Sequence, residues 1–152
     1  MRSHIAKALD WGDAHATFEK AVKDFPAALR GRRVEGLPYS AWELLEHLRI
    51  AQHDILDFSR NPTYEELEWP RDYWPGSPEP PDDKAWDRSV AAFRRDRAAL
   101  KKLASDPKIA LDKRIPHGDG QTVLREILLV IDHNAYHVAE IVMLRRLLGA
   151  WT

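Results

Sequence analysis

His133-Asn134-Ala135-Tyr136-His137 places two imidazoles four residues apart inside a long apolar segment, and His47 stands far upstream as a third candidate. Residues i and i+4 of a helix lie one above the other on the same face, so both rings can reach one metal ion. A third nitrogen from another helix completes a three-nitrogen site with an open position, the arrangement of a catalytic rather than a structural metal. Each histidine also has an ordinary reading as a surface or hydrogen-bonded side chain, and a chain with seven histidines can carry such a pair by chance. Context favours the site. The pair lies between Val123 and Leu148 in a segment apolar around most of its circumference, and imidazoles buried there need partners.

Composition narrows the chemistry. The 152 residues contain no cysteine, which removes disulfides, thiolate zinc sites and a nucleophilic thiol, and leaves nitrogen and oxygen as metal ligands. Lys and Arg number 23 against 24 Asp and Glu, a formal net charge of -1, so no basic field favours nucleic acid. The N-terminal Met1-Arg2-Ser3-His4-Ile5 lacks the apolar core of a signal peptide. No charge-free apolar run of about 18 residues is present, so no membrane span is expected and a cytoplasmic protein is the default.

One domain of four helices should position the histidines. The first is expected from about Ser3 to Asp24, ending before Pro26. Ser40 with Glu43 three residues on has capping-box spacing and opens a second helix carrying Leu44, Leu45, Leu48, Ala51, Ile55 and Phe58, which Asn61-Pro62 stops. Trp69 to Pro81 is too rich in proline for regular helix. It reads equally as a functional loop anchored by aromatics or as a crossover packed by Trp69, Tyr73 and Trp74. A third helix is expected from about Asp82 to Ser105, its Arg94-Arg95-Asp96-Arg97 run a solvated face. Asp112 to Gly120 reads as a loop or short hairpin, and Thr122 as the N-cap of the fourth helix.

At about 100° per residue, His47 falls on the flank of the apolar stripe of the second helix, where it can face a neighbour, while His53 points to water. His133 and His137 project together to one side of the fourth helix. His4, His15 and His117 have no partner by spacing and are expected at the surface. None of the residues three before the histidines is acidic, which excludes the Glu-x-x-His pattern of ferritin-like di-iron bundles. Asn134 stands where a zincin carries its glutamate base.

The stretches Ser40-Ala41-Trp42-Glu43-Leu44-Leu45-Glu46-His47-Leu48 and Asp132-His133-Asn134-Ala135-Tyr136-His137-Val138-Ala139-Glu140-Ile141, with Leu144-Arg145-Arg146-Leu147-Leu148-Gly149, resemble the DinB-like family of helical-bundle metalloproteins. The resemblance implies an all-α four-helix bundle in up-down-down-up order, with a long connection between helices two and three. It also implies a divalent metal on His47, His133 and His137, and Zn²⁺ or Ni²⁺ is the ion expected of an enzyme built on them. Relatives implied by it include thiol-dependent transferases and metal-dependent hydrolases acting on small molecules. With no cysteine here, any thiol would be a low-molecular-weight co-substrate. The Trp69 to Pro81 segment departs from the family's connection, and the shape of the site turns on it.

Two functions follow. The first is a metal-dependent enzyme, with Glu140 and Asp132 as candidate carboxylates behind the ligands, though both could equally lie on the surface. The second is a non-catalytic, stress-associated homodimeric module, since the fourth helix is apolar on more faces than a small bundle needs; Leu129, Met143 and Leu147 are expected nearest such an interface.

Overall fold

The computed structural model describes residues 1–151 and places no β-strand among them. Five α-helices follow in order: α1 Arg2–Ala8, α2 Phe18–Val22, α3 Ala41–Arg60, α4 Ala85–Ser105 and α5 Val123–Leu147. Two single 3₁₀ turns, Ala27–Leu29 and Arg71–Tyr73, lie in the connections. An isolated antiparallel bridge joins Arg114 to Thr122 in the segment expected as a loop or short hairpin.

The continuous first helix expected from Ser3 to Asp24 is instead two short ones. A turn at Gly12 separates them, where an added Cβ would meet Thr17 Cγ2 at 2.5 Å and force that side chain to shift. Asp13 accepts the Trp11 indole N–H at 2.6 Å, and Thr17 restarts the helix by accepting from the Lys20 N–H at 3.2 Å. Local turn chemistry outweighs the apolar period there. Arg145 then fixes α2 to the bundle. Its buried guanidinium donates to the carbonyls of Lys20, Ala21 and Lys23 at 3.3, 3.0 and 2.7 Å, placing a cation at the negative end of α2.

α3 begins at the expected capping box. Ser40 Oγ accepts from the Glu43 N–H at 3.2 Å, and Glu43 Oε2 accepts from the Ser40 N–H at 2.8 Å. The same hydroxyl donates to the Pro78 carbonyl at 2.6 Å, tying the proline-rich connection to the helix start. Gly31 holds that connection from the other side, since a Cβ there would lie 2.9 Å from Glu79 Cα. Thr122 is the N-cap of α5 as expected, and the turn after the helix passes through Gly149, φ +68°, where the Ala150 N–H reaches the Arg145 carbonyl at 2.8 Å.

α3 lies against both α4 and α5, α1 against α4, and α2 against α5. The apolar side chains divide into two clusters. One gathers Phe18, Trp42, Leu44, Leu45, Leu48, Trp86, Phe93, Val138, Ile141 and Leu144; the other gathers Leu9, Leu56, Leu100, Ile127 and Val130. Between them, along both α3 and α5, runs a polar layer of His47, Gln52, His133, Asn134 and His137. Ile55 and Phe58, expected in the core, are only partly buried because they line a cavity beside this layer, and Leu56 takes the core position instead.

Two further expectations are revised. Asp96 is buried at 4 % exposure, and the Arg97 side chain is largely covered while pairing with Asp10 and Glu19, so the charged run on α4 is not simply a solvated face. α5 is also long and apolar enough, by length and composition alone, to cross a bilayer; here it is a packed helix of the bundle.

Candidate metal centre

His47 comes from the middle of α3, and His133 and His137 from successive turns of α5, the helices the sequence assigned to them. Their ring centroids stand 4.5, 4.7 and 4.9 Å apart, and one nitrogen from each lies within 4.8 Å of the others. His133 Nε2 and His47 Nε2 approach to 3.0 Å. The group could therefore hold a metal ion.

The back of each ring decides which nitrogen faces the cluster. His47 Nδ1 donates to the Tyr73 carbonyl at 2.9 Å, and since a carbonyl can only accept, the lone pair of His47 lies on Nε2. His137 Nδ1 is 2.6 Å from Glu140 Oε2, which directs its Nε2 inward by the same logic. His133 Nδ1 is buried without a partner. Three rings that share a contact layer, two of them committed by acceptors to present Nε2, form a nitrogen donor set that could hold a metal ion.

The electrostatics agree. Burial first, then the charges of His137 and His47, push His133 down to about 4. Burial and then the charge of His47 push His137 down to about 4. His47 is lowered by burial, opposed by the Tyr73 carbonyl and Glu140. Glu140 is raised by burial. Neutral imidazoles at neutral pH are the state in which histidine binds metal.

The proline-rich connection is part of the site. Trp74 stacks face to face on His47, with centroids 3.9 Å apart and planes 2° from parallel, and Tyr39 in turn stacks on Trp74 at 4.0 Å. Trp69 meets His47 edge on at 6.3 Å and is 66 % exposed. Both readings of this segment expect such contacts: it is a crossover packed by its aromatics, and its packing falls on a residue of the histidine cluster.

A cavity of about 650 Å³ opens from the three rings toward the far ends of α3 and α5. Asp54 stands on its wall with both carboxylate oxygens engaged, one by the Tyr64 hydroxyl at 2.8 Å and one by that of Tyr73 at 2.7 Å. Burial and Asp54 raise both phenols, so they remain donors. Buried Glu126 pairs with Arg125 at 2.7 Å on the opposite wall.

Of the remaining histidines, His4 and His15 are exposed as expected. His53 is exposed too, yet its Nδ1 is 2.9 Å from buried Asp96. His117 departs from a purely surface role: its Nε2 donates to the Phe58 carbonyl at 2.8 Å and its ring lines the cavity. Glu140 stands behind His137, whereas Asp132 is exposed and acts on His133 only through its charge. Sequence reasoning gave Gln52, Asp54, Tyr64 and Asn134 no role at the site. A polar Gln at an inward position of α3, four residues from Leu48, was the available signal for the first.

A bundle of helices enclosing a three-histidine cluster beside a cavity defines a helical protein with a candidate metal site. The chain belongs to the DinB superfamily, whose family model matches residues 11–141. No curated protein and no solved structure matches it.

Proposed function

We propose that the protein is a metal-dependent enzyme acting on a small molecule, with His47, His133 and His137 holding a divalent ion, Zn²⁺ or Ni²⁺. The observation that carries this reading is the shared direction of the rings, with Nδ1 of His47 and His137 each committed to an acceptor and Nε2 left toward the cluster. Such an ion would supply Lewis acidity, drawing the pKa of water or a low-molecular-weight thiol toward neutrality. That covers hydrolysis and thiol-dependent transfer alike. The protein's own part is to enclose the substrate: Trp69 and Leu129 offer apolar wall, and Asp54, fixed by Tyr64 and Tyr73, offers an oriented acceptor. The up-down-down-up helix order belongs to the same reading.

The test is metal analysis of tag-free protein beside a His133→Ala/His137→Ala variant. About one equivalent in the wild type and none in the variant supports the reading; equal content in both defeats it.

A second reading, the homodimeric binding module, is favoured by one feature. Leu129, Tyr136 and Met143 recur every seven residues on α5 at 36, 65 and 50 % exposure, with Leu147 one turn further at 56 %. A second copy of the chain would cover this stripe. Sedimentation as a monomer at micromolar concentration would remove it.

A further inference from the structure

His133 lacks what the other two rings have. Its Nδ1 is buried without a hydrogen-bond partner, and on the next residue Asn134 Oδ1 is buried and equally alone. Two orphaned polar atoms on consecutive residues beside one cluster call for a physical reason.

The Asn134 amide is not free to turn. Gln52 is fully buried and donates through Nε2 to the Phe93 carbonyl at 2.8 Å, which leaves its Oε1 as an acceptor. Asn134 Nδ2 donates to that Oε1 at 3.0 Å. A carbonyl on α4 thus dictates, through two amides in series, that the edge Asn134 has left is its acceptor edge.

The position of one proton decides whether that edge is used. His47 spends its proton on Tyr73, so the 3.0 Å contact between His133 Nε2 and His47 Nε2 is a hydrogen bond only when His133 carries its proton on Nε2. His133 Nδ1 is then a lone pair, and neither it nor Asn134 Oδ1 has a donor. With the proton on Nδ1 the pattern inverts: Nε2 becomes a third inward lone pair, and Nδ1–H needs an acceptor, for which the unused, buried Oδ1 of the adjoining Asn134 is available.

We infer that Asn134 is a positioning residue for the metal centre: its Oδ1, oriented by Gln52 and the Phe93 carbonyl, accepts the Nδ1 proton of His133 and holds that ring in the tautomer whose Nε2 can ligate a divalent cation. The inference rests on the metal reading above. It gives each ring its own acceptor, a backbone carbonyl for His47, a carboxylate for His137 and an amide for His133.

The test uses the full chain, tag-free, zinc-loaded and ¹⁵N-labelled at histidine. Long-range ¹H–¹⁵N spectra report which nitrogen of His133 carries the proton, and chelator competition gives the zinc affinity of wild type, Asn134→Leu and His133→Ala. Asn134→Leu keeps roughly the volume and removes the acceptor. The expected result is a slowly exchanging Nδ1 proton on His133 in the wild type, lost or fast-exchanging in Asn134→Leu, with zinc affinity about tenfold lower. A merely structural Asn134 would lower the melting temperature of the metal-free protein and leave the proton signal and the zinc affinity unmoved. Zinc on Nδ1 of His133, or an Asn134→Leu protein with unchanged proton exchange and affinity, overturns the inference while the metal reading stands. Absence of zinc binding by the wild type, or binding unaffected by His133→Ala, overturns both. Should Asn134→Leu fail to fold, the wild-type spectrum decides alone.

Discussion

The carbonyl oxygen of Tyr73 accepts the Nδ1 proton of His47 at 2.9 Å across 26 residues of sequence. One backbone atom in the proline-rich connection therefore sets the tautomer of a side chain in the middle of α3. The hydroxyl of the same tyrosine holds Asp54 on the cavity wall, so Tyr73 joins the ring cluster to the space beside it.

Its two ends should separate by substitution. Tyr73→Phe keeps the carbonyl and removes only the bond to Asp54, so metal affinity should stay within about twofold of wild type. Trp74→Ala removes the face-to-face cover of His47 and should weaken metal binding about tenfold, the scale of lost support behind a ligand. Chelator competition on both variants checks this; equal losses would mean that the Tyr73 hydroxyl supports the centre as much as the stack does.

Metal should stabilise the fold. Binding to the folded state alone at a hundredfold excess over Kd adds about 2.7 kcal/mol. For a domain of this size that corresponds to a rise of about 5–10 °C in Tm. Calorimetry with and without chelator at pH 7.5 should show that difference in the wild type and little of it in His47→Ala.

The metal-free protein should lose stability in acid over a defined window. His133 and His137 sit at about 4 in the folded chain against an ordinary 6.5, so below 6.5 the unfolded chain takes up protons that the folded chain refuses. Their contribution is present in full above pH 6.5 and is lost progressively as pH falls toward 4. Urea unfolding of metal-free protein at pH 7.5, 6, 5 and 4 should therefore fall more steeply for wild type than for His133→Ala/His137→Ala. Parallel slopes would contradict the depressed values.

Arg145→Met should unfold the protein more readily without touching the centre. It strips the α2 carbonyls of Lys20, Ala21 and Lys23 and that of Ala150 of their donor, and unsatisfied buried acceptors cost about 1–3 kcal/mol each, partly recovered from water. A net loss of roughly 2–4 kcal/mol is expected in urea unfolding, with metal content per folded molecule unchanged.

The two ring-bearing helices were legible because their signals are local: Ser40 with Glu43 and Thr122 mark the starts, and the four-residue spacing of His133 and His137 fixes their shared face. His47 was reachable from its place on the flank of an apolar stripe. The break at Gly12 was not, because side-chain contacts of Trp11, Asp13 and Thr17 override the helical period suggested by Ile5, Ala8, Leu9, Ala16, Phe18 and Val22. Asp54 and Gln52 were hidden for a different reason. Their roles depend on partners at Tyr64, Tyr73 and Phe93, and no spacing rule links residues that meet only after the helices have docked.

The proline-rich connection is held at Ser40, at Gly31 and at His47, and the last of these holds is on a ring that would itself be bound when an ion is present. Ion occupancy would then tighten a surface segment that a protease can reach. Limited digestion between α3 and α4 becomes an outside gauge of the centre: a tryptic clock whose rate slows as the three rings are filled, readable on a gel without knowing the substrate.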